Sequence, residues 1–143
     1  MKPWRDFPVT WANVFEWRVR VYWEDTDAGG VVFYANYLRF FERARTEWLR
    51  SLGVDQSRMQ HELGTIFVVA DTQVRYHAPA RLDDELTVTV RLTSKGRASL
   101  GIEQHALRGS QLLAQGHIRI GCVEQSSFKP TRVPGFILDK LPI

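Results

Sequence analysis

The chain has 143 residues and a mass of 16.5 kDa, the length of one domain rather than two, and its 44% hydrophobic and 24% charged residues exclude a mostly disordered protein. The 19 Lys and Arg against 16 Asp and Glu give a formal net charge of +3 with no continuous basic tract, which argues against nucleic acid and suits a small polyanionic ligand. No apolar run approaches the ~20 residues of a membrane span, and the opening Met1-Lys2-Pro3-Trp4-Arg5-Asp6 lacks the apolar stretch of a secretory signal, so the chain is expected to be cytoplasmic.

Residues 17–24 alternate Trp17, Val19 and Val21 with Arg18, Arg20 and Tyr22, the period of a strand. Glu24-Asp25-Thr26-Asp27-Ala28-Gly29-Gly30 follows as a loop with two adjacent glycines. Residues 36–52 read as one long helix. Tyr37, Leu38, Phe41, Ala44, Trp48, Leu49 and Leu52 gather on one side; Arg39, Arg43, Thr46, Glu47 and Arg50 gather on the other. Gly53 is a natural stop. Arg45 falls inside the apolar stripe, where an unpaired charge is costly, so it needs a carboxylate or carbonyl partner.

Four strands follow. Residues 66–76 place Ile66, Val68, Ala70, Thr72, Val74 and Tyr76 on one face. Residues 85–93 set Leu86, Val88, Val90 and Leu92 against Glu85, Thr87, Thr89 and Arg91. A turn at Ser94-Lys95-Gly96-Arg97 leads to strands 98–107 and 112–123, joined through Arg108-Gly109-Ser110. Short links favour antiparallel pairing. The single helix must bury its stripe on one face of that sheet. The expectation is one α+β domain over residues 1–143, a curved antiparallel sheet around one long central helix. Strand 112–123 is β-rich and little protected by charge or proline, so it is read as an open edge for pairing. Cys122 is the only cysteine, so no internal disulfide is possible, and its apolar neighbours predict a buried thiol.

The densest concentration of chemistry is Asp25 to Tyr37, between the first strand and the helix. Carboxylates ahead of a helix have a plain explanation in its dipole, and Asn36 has one as an N-cap. The functional reading adds three features. Gly29 and Gly30 let backbone approach a ligand. Free N–H groups at a helix start can hold a developing oxyanion. A carboxylate beside such donors can act as base or nucleophile toward an acyl carbon. Other motifs fail. Position twelve of the calcium-like Asp25-x-Asp27 opening is Asn36, where a bidentate Glu is required. The histidines lack zinc spacing. His105 and His117 are read as structural or surface residues. No serine lies in a nucleophile elbow, and there is no phosphate-binding or dinucleotide fingerprint.

The run Tyr22-Trp23-Glu24-Asp25-Thr26-Asp27-Ala28-Gly29-Gly30-Val31-Val32-Phe33-Tyr34-Ala35-Asn36-Tyr37, followed by Phe40-Phe41-Glu42-Arg43-Ala44-Arg45-Thr46-Glu47, resembles the 4-hydroxybenzoyl-CoA thioesterase family. Its Tol-Pal-associated bacterial acyl-CoA thioesterase branch is the most similar. Phe67-Val68-Val69, Tyr76-His77-Ala78-Pro79-Ala80-Arg81-Leu82-Asp83-Asp84 and the weaker tail Lys129-Pro130-Thr131-Arg132-Val133-Pro134 share the likeness, which runs over residues 17–134. The resemblance implies the hotdog fold, edge-to-edge dimers that often pair again into tetramers, and active sites between subunits. It implies hydrolysis of an acyl-CoA thioester without metal or prosthetic group. Asp27 matches the catalytic carboxylate, as nucleophile or general base. The backbone N–H of Tyr34 matches the group that polarises the carbonyl. Gly29, Gly30 and Val31 fall where backbone lines the substrate. Lys95 and Arg97 match the turn that approaches the nucleotide; Lys129 and Arg132 are weaker candidates. The Tol-Pal-associated branch usually has His where this chain has Tyr34, while the aromatic-acyl branch has Tyr followed by Pro-Asn-Tyr; here Ala35-Asn36-Tyr37 follows. The alternative is a hotdog that binds acyl-CoA or a protein without turnover. A dehydratase needs a histidine near the helix, and none occurs between residues 1 and 60.

Overall fold

The computed structural model describes residues 14–142, so the Met1–Asp6 opening lies outside the described residues. Its strands are β1 (Phe15–Arg20), β2 (Thr65–Tyr76), β3 (Glu85–Lys95), β4 (Ser99–Arg108) and β5 (Gln111–Glu124). All pairings between them are antiparallel, in the order β1-β3-β4-β5-β2. The long helix α1 (Asn36–Ser51) lies against one face of this sheet. This is the hotdog architecture that the resemblance implies. Two short elements carry no amphipathic period and were not legible in the sequence: α2 (Gln56–Arg58), continuing into a π-helical turn at Met59–Leu63, and α3 (Gly135–Leu138).

The helix holds to its predicted limits. Gly53, at φ +80°, takes the left-handed conformation that ends it. Phe40, Phe41 and Ala44 are fully buried against Leu86, Val88, Val90, Leu100 and Ile102. The approach is close: a Cβ on Gly116 of β5 would lie 3.0 Å from the Phe41 ring. Leu38 does not join the stripe; it is exposed, and Phe40 takes the buried position instead. Arg45 finds the expected carbonyl partner in the side chain of Gln104, 2.9 Å away. Asn36 is the first helical residue rather than the N-cap, which is Ala35, because its amide is engaged by Asp25.

Three further sequence expectations are corrected. The first strand ends at Arg20, and Trp23–Asp25 forms a 3-10 turn because the Asp25 carboxylate accepts the Tyr22 N–H. In β2 a bulge between Val69 and Asp71 shifts the register by one residue. It switches the side that faces the core from odd to even numbers, so Phe67 before it and Val74 after it both pack on the core. The face predicted for 66–76 therefore does not exist as one face. Finally, strand 112–123 is not an edge: β5 is bonded to β4 on one side and β2 on the other, and the open edges are β1 and β2.

Candidate active site

The loop after β1 folds into a small hairpin. Asp25 anchors it. Its Oδ2 accepts the Tyr22 N–H and its Oδ1 accepts Asn36 Nδ2, both at 2.8 Å, and the residue is 4% exposed. Residues 25–27 then pair with residues 31–33. The Phe33 N–H donates to the Asp25 carbonyl at 3.0 Å, Thr26 bridges Val32, and the Asp27 N–H donates to the Val31 carbonyl at 2.9 Å. The connecting turn is Asp27-Ala28-Gly29-Gly30, closed by the Gly30 N–H on the Asp27 carbonyl. Gly30 sits at φ +77°, which is why glycine stands there. The hairpin is docked on the chain before β3 through the Val32 N–H on the Ala80 carbonyl and a Val31–Arg81 bridge.

The two aspartates of this hairpin have different capacities. Both carboxylate oxygens of Asp25 are used inside the fold. Asp27 is exposed at the turn. Its Oδ1 accepts the Gly29 N–H at 2.8 Å, and among the described residues its Oδ2 takes no hydrogen bond. A Cβ on Gly29 would lie 3.2 Å from that Oδ1, so the small residue leaves the carboxylate its place. Tyr34 follows the second arm of the hairpin, just ahead of α1. Among the described residues no acceptor takes its N–H, and its ring is exposed. Asp27 pairs with Val31, so Tyr34 lies three residues further along the chain, in the turn that leads into α1.

Beside Tyr34 opens a hollow of about 290 Å³, lined by Val32, Tyr34, Tyr37, Tyr76, His77, Ala78 and Pro79. Tyr37 is buried beneath it, with its hydroxyl accepting the Ala80 N–H at 3.0 Å. Burial pushes the Tyr37 phenol up, so it stays neutral. Tyr37, Tyr76 and His77 received no site role from the sequence, where Tyr37 stands on the helix stripe and closes the family-like run from Tyr22, and Tyr76 and His77 open the family-like stretch Tyr76-His77-Ala78-Pro79. A larger hollow, about 520 Å³, lies among Thr46, Arg50, Asp55 and Gln56. It is at the far end of α1, whose 16 residues span about 24 Å.

Gly29, Gly30 and Val31 thus fall with Asp27 in one hairpin, and Tyr34 directly follows it. Lys95 and Arg97 lie apart from it. The hairpin docks at the Glu85 end of β3, while Lys95 closes its other end, about 33 Å of strand away, and Arg97 lies just beyond. There the Lys95 Nζ donates to the Leu138 carbonyl at 3.4 Å and the Arg97 carbonyl accepts the Val133 N–H. The tail carrying Lys129 and Arg132 packs at this same end through a Val123–Pro130 bridge. His105 and Glu103 flank Gln104 on β4 and point to the sheet face away from α1, bonded to one another at 3.2 Å. Among the described residues no group of His, Cys, Asp or Glu side chains is placed to hold a metal ion. No helix among the described residues is long and apolar enough to cross a membrane.

Residues 21–141 match the thioesterase-like superfamily. The chain is 42% identical to the acyl-CoA thioesterase YbgC of Haemophilus influenzae, over 85% of this chain and 90% of that one. It is 43% identical to the acyl-CoA thioester hydrolase YbgC of Escherichia coli O6:H1, over 88% of this chain and 94% of that one. Among solved structures it is similar to a probable thioesterase from Bartonella henselae, with a TM-score of 0.81 and 33% identity, covering 85% of this chain and 99% of that one.

Proposed function

The chain belongs to the thioesterase-like superfamily, and from that premise we propose that it hydrolyses acyl-CoA thioesters to free acid and coenzyme A, with Asp27 as the reacting carboxylate and the Tyr34 N–H as the donor to the carbonyl oxygen. The observation that carries this reading is an exposed carboxylate, open at Oδ2, in the hairpin and a backbone N–H just after it, with neither that Oδ2 nor that N–H partnered among the described residues. The relatives named as acyl-CoA thioesterases supply the substrate class.

The chemistry needs only these groups. The thioester carbonyl oxygen accepts the Tyr34 N–H, which counters the negative charge that grows as the carbonyl carbon becomes tetrahedral. Asp27 either takes a proton from the attacking water or attacks the carbon itself to form a mixed anhydride that water then opens. In both routes the thiolate of coenzyme A leaves. The hollow beside Tyr34 receives the acyl group. We read Lys95 and Arg97 as ligands for coenzyme A phosphates that a second copy of the chain brings to the site, since their own protomer holds them about 33 Å of strand away. The working unit is accordingly a homo-oligomer.

The test is release of free thiol from a panel of short-chain, long-chain and aromatic acyl-CoA substrates, with and without EDTA. Release without added metal, unaffected by EDTA and lowered ~10²–10⁴-fold by Asp27→Asn, is the expected result. Binding of acyl-CoA with no release from any of the three classes would replace hydrolysis by a binding role.

A further inference from the structure

Residues 33–35, between the hairpin and α1, carry the N–H that the proposed reaction uses, yet they belong to no regular element. Separate bonds hold this short segment. The Phe33 N–H donates to the Asp25 carbonyl at 3.0 Å, and the Phe33 carbonyl accepts the Asn36 N–H at 2.8 Å. The remaining restraint comes from a distant part of the chain. Tyr76, the last residue of β2, donates its hydroxyl to the Tyr34 carbonyl at 2.8 Å, across 42 residues of sequence. In a regular helix the N–H four residues on would supply that bond. Here the Leu38 N–H turns back to the Ala35 carbonyl at 3.1 Å instead.

The tether is itself well placed. The Tyr76 ring meets Tyr37 with centroids 5.4 Å apart and stands edge-on to Tyr34 at 6.2 Å. Burial, with smaller contributions from Tyr37 and Tyr34, pushes the Tyr76 phenol above its ordinary value, so it remains a protonated donor through the neutral range. The Tyr34 carbonyl and the Tyr34 N–H share one Cα. The donor peptide is held on its own side by the Asn36 N–H on the Phe33 carbonyl, and the Tyr76 hydroxyl fixes the peptide on the other side of that Cα.

We propose that Tyr76 is a positioning residue for thioester hydrolysis: its hydroxyl, by holding the Tyr34 carbonyl, sets the direction in which the Tyr34 N–H meets the carbonyl oxygen of the substrate. This rests on the reading of that N–H given above. Loss of an oxyanion donor lowers rates by about 10²–10³; loosening one that remains present is expected to lower kcat by about 10-fold. Alignment that matters only in the transition state changes kcat and leaves KM alone.

Tyr76→Phe keeps the ring and removes only the hydroxyl. Measured beside wild type and Asp27→Asn, it is expected to lose about 10-fold in kcat with KM within about twofold of wild type and an unchanged melting temperature. Backbone ¹⁵N order parameters should fall at Tyr34 and Ala35 and nowhere else on α1. Wild-type kcat in Tyr76→Phe, or a loss confined to KM, or a kcat loss matched by a general loss of stability, overturns the proposal while thiol release by wild type and its loss in Asp27→Asn leave the hydrolysis reading standing. A wild-type protein that releases no thiol overturns the hydrolysis reading first, and this proposal with it.

Discussion

Asp25 and Asp27 are two residues apart and chemically alike, but the fold gives them different work, and single substitutions should separate it. Asp25 is buried with both oxygens bonded to donors. In Asp25→Asn one amide hydrogen must point at a donor, and an unsatisfied buried group costs about 1–3 kcal/mol. The expected outcome is a lower melting temperature, with the activity of the remaining folded protein largely kept. Asp27→Asn keeps a carbonyl oxygen for the Gly29 N–H, so stability should hold while kcat falls by about 10²–10⁴. Calorimetry and thiol release on both variants check this; the reverse pattern would exchange the two roles. A second residue-scale expectation concerns acid. Burial pushes His105 down from 6.5 to about 4, outweighing the attraction of Glu103. His117 and Arg91, the other charged groups around it, push the same way as burial. The unfolded imidazole binds its proton first, so the contribution of neutral His105 is whole above pH 6.5 and is lost as pH falls toward 4. One such group gives a slope of at most about 1.4 kcal/mol per pH unit. Glu103, held low by its neighbours despite burial, adds a loss only in more acid solution. Urea midpoints from pH 7 to 4.5 should fall in wild type and fall less steeply in His105→Gln. Parallel curves would mean that His105 does not carry the dependence.

Among the elements, the apolar contact of α1 with the sheet is interrupted at Arg45 and Gln104. The buried Gln104 side chain accepts from Arg45 and donates to the carbonyls of Phe41 and Thr89, joining α1, β3 and β4 through the core. Gln104→Leu keeps most of the volume but takes this acceptor from the Arg45 guanidinium, whose burial disfavours its charge against the attraction of Glu42. Leaving a buried donor unsatisfied costs about 1–3 kcal/mol, and urea unfolding is the measurement; a loss under about 0.5 kcal/mol would show that Arg45 finds water instead. The need for this partner was readable from the sequence, because Arg45 interrupts a 3.6-residue period. Its identity was not, because Gln104 is 59 residues away and lies in a strand whose own alternation does not mark it. The same division runs through the fold. Period and glycine placement fixed α1 and the strand limits to within a few residues. The bulge at Ala70 escaped because adding one residue leaves composition unchanged while reversing every later side chain. The hairpin was legible as a place of chemistry from Asp27, Gly29 and Gly30. The hollow beside it was not, since Tyr37 and Tyr76 meet only through tertiary packing.

For the molecule as a whole, the open question is what meets the free edges of the sheet. Edge β1 carries Glu16, Arg18 and Arg20, and both arginines pair with Glu85 of the neighbouring strand, so charge guards it. Edge β2 is twice as long, at 12 residues, with its outer backbone unpaired within the described chain. Beside it, Leu49, Phe67, Val68, Val69 and Ile120 line a groove of about 280 Å³ together with Glu42 and Arg45, and Val69 is half exposed. An unpaired and partly apolar edge of this length is a template for another strand. A second copy meeting it antiparallel would extend the sheet and cover the groove at once. The expected species in solution is therefore at least a dimer, twice the 16.5 kDa of the chain, joined through β2 and not through β5 as the sequence suggested. Val69→Lys places a charge at the centre of that contact while leaving β5 pairing intact. Light scattering at micromolar concentration should show wild type as a dimer or tetramer and Val69→Lys shifted toward monomer. If the site is completed by the second copy, thiol release should fall with that shift and recover as protein concentration rises. A wild-type monomer, or a Val69→Lys variant as associated as wild type, would remove β2 as the joining edge.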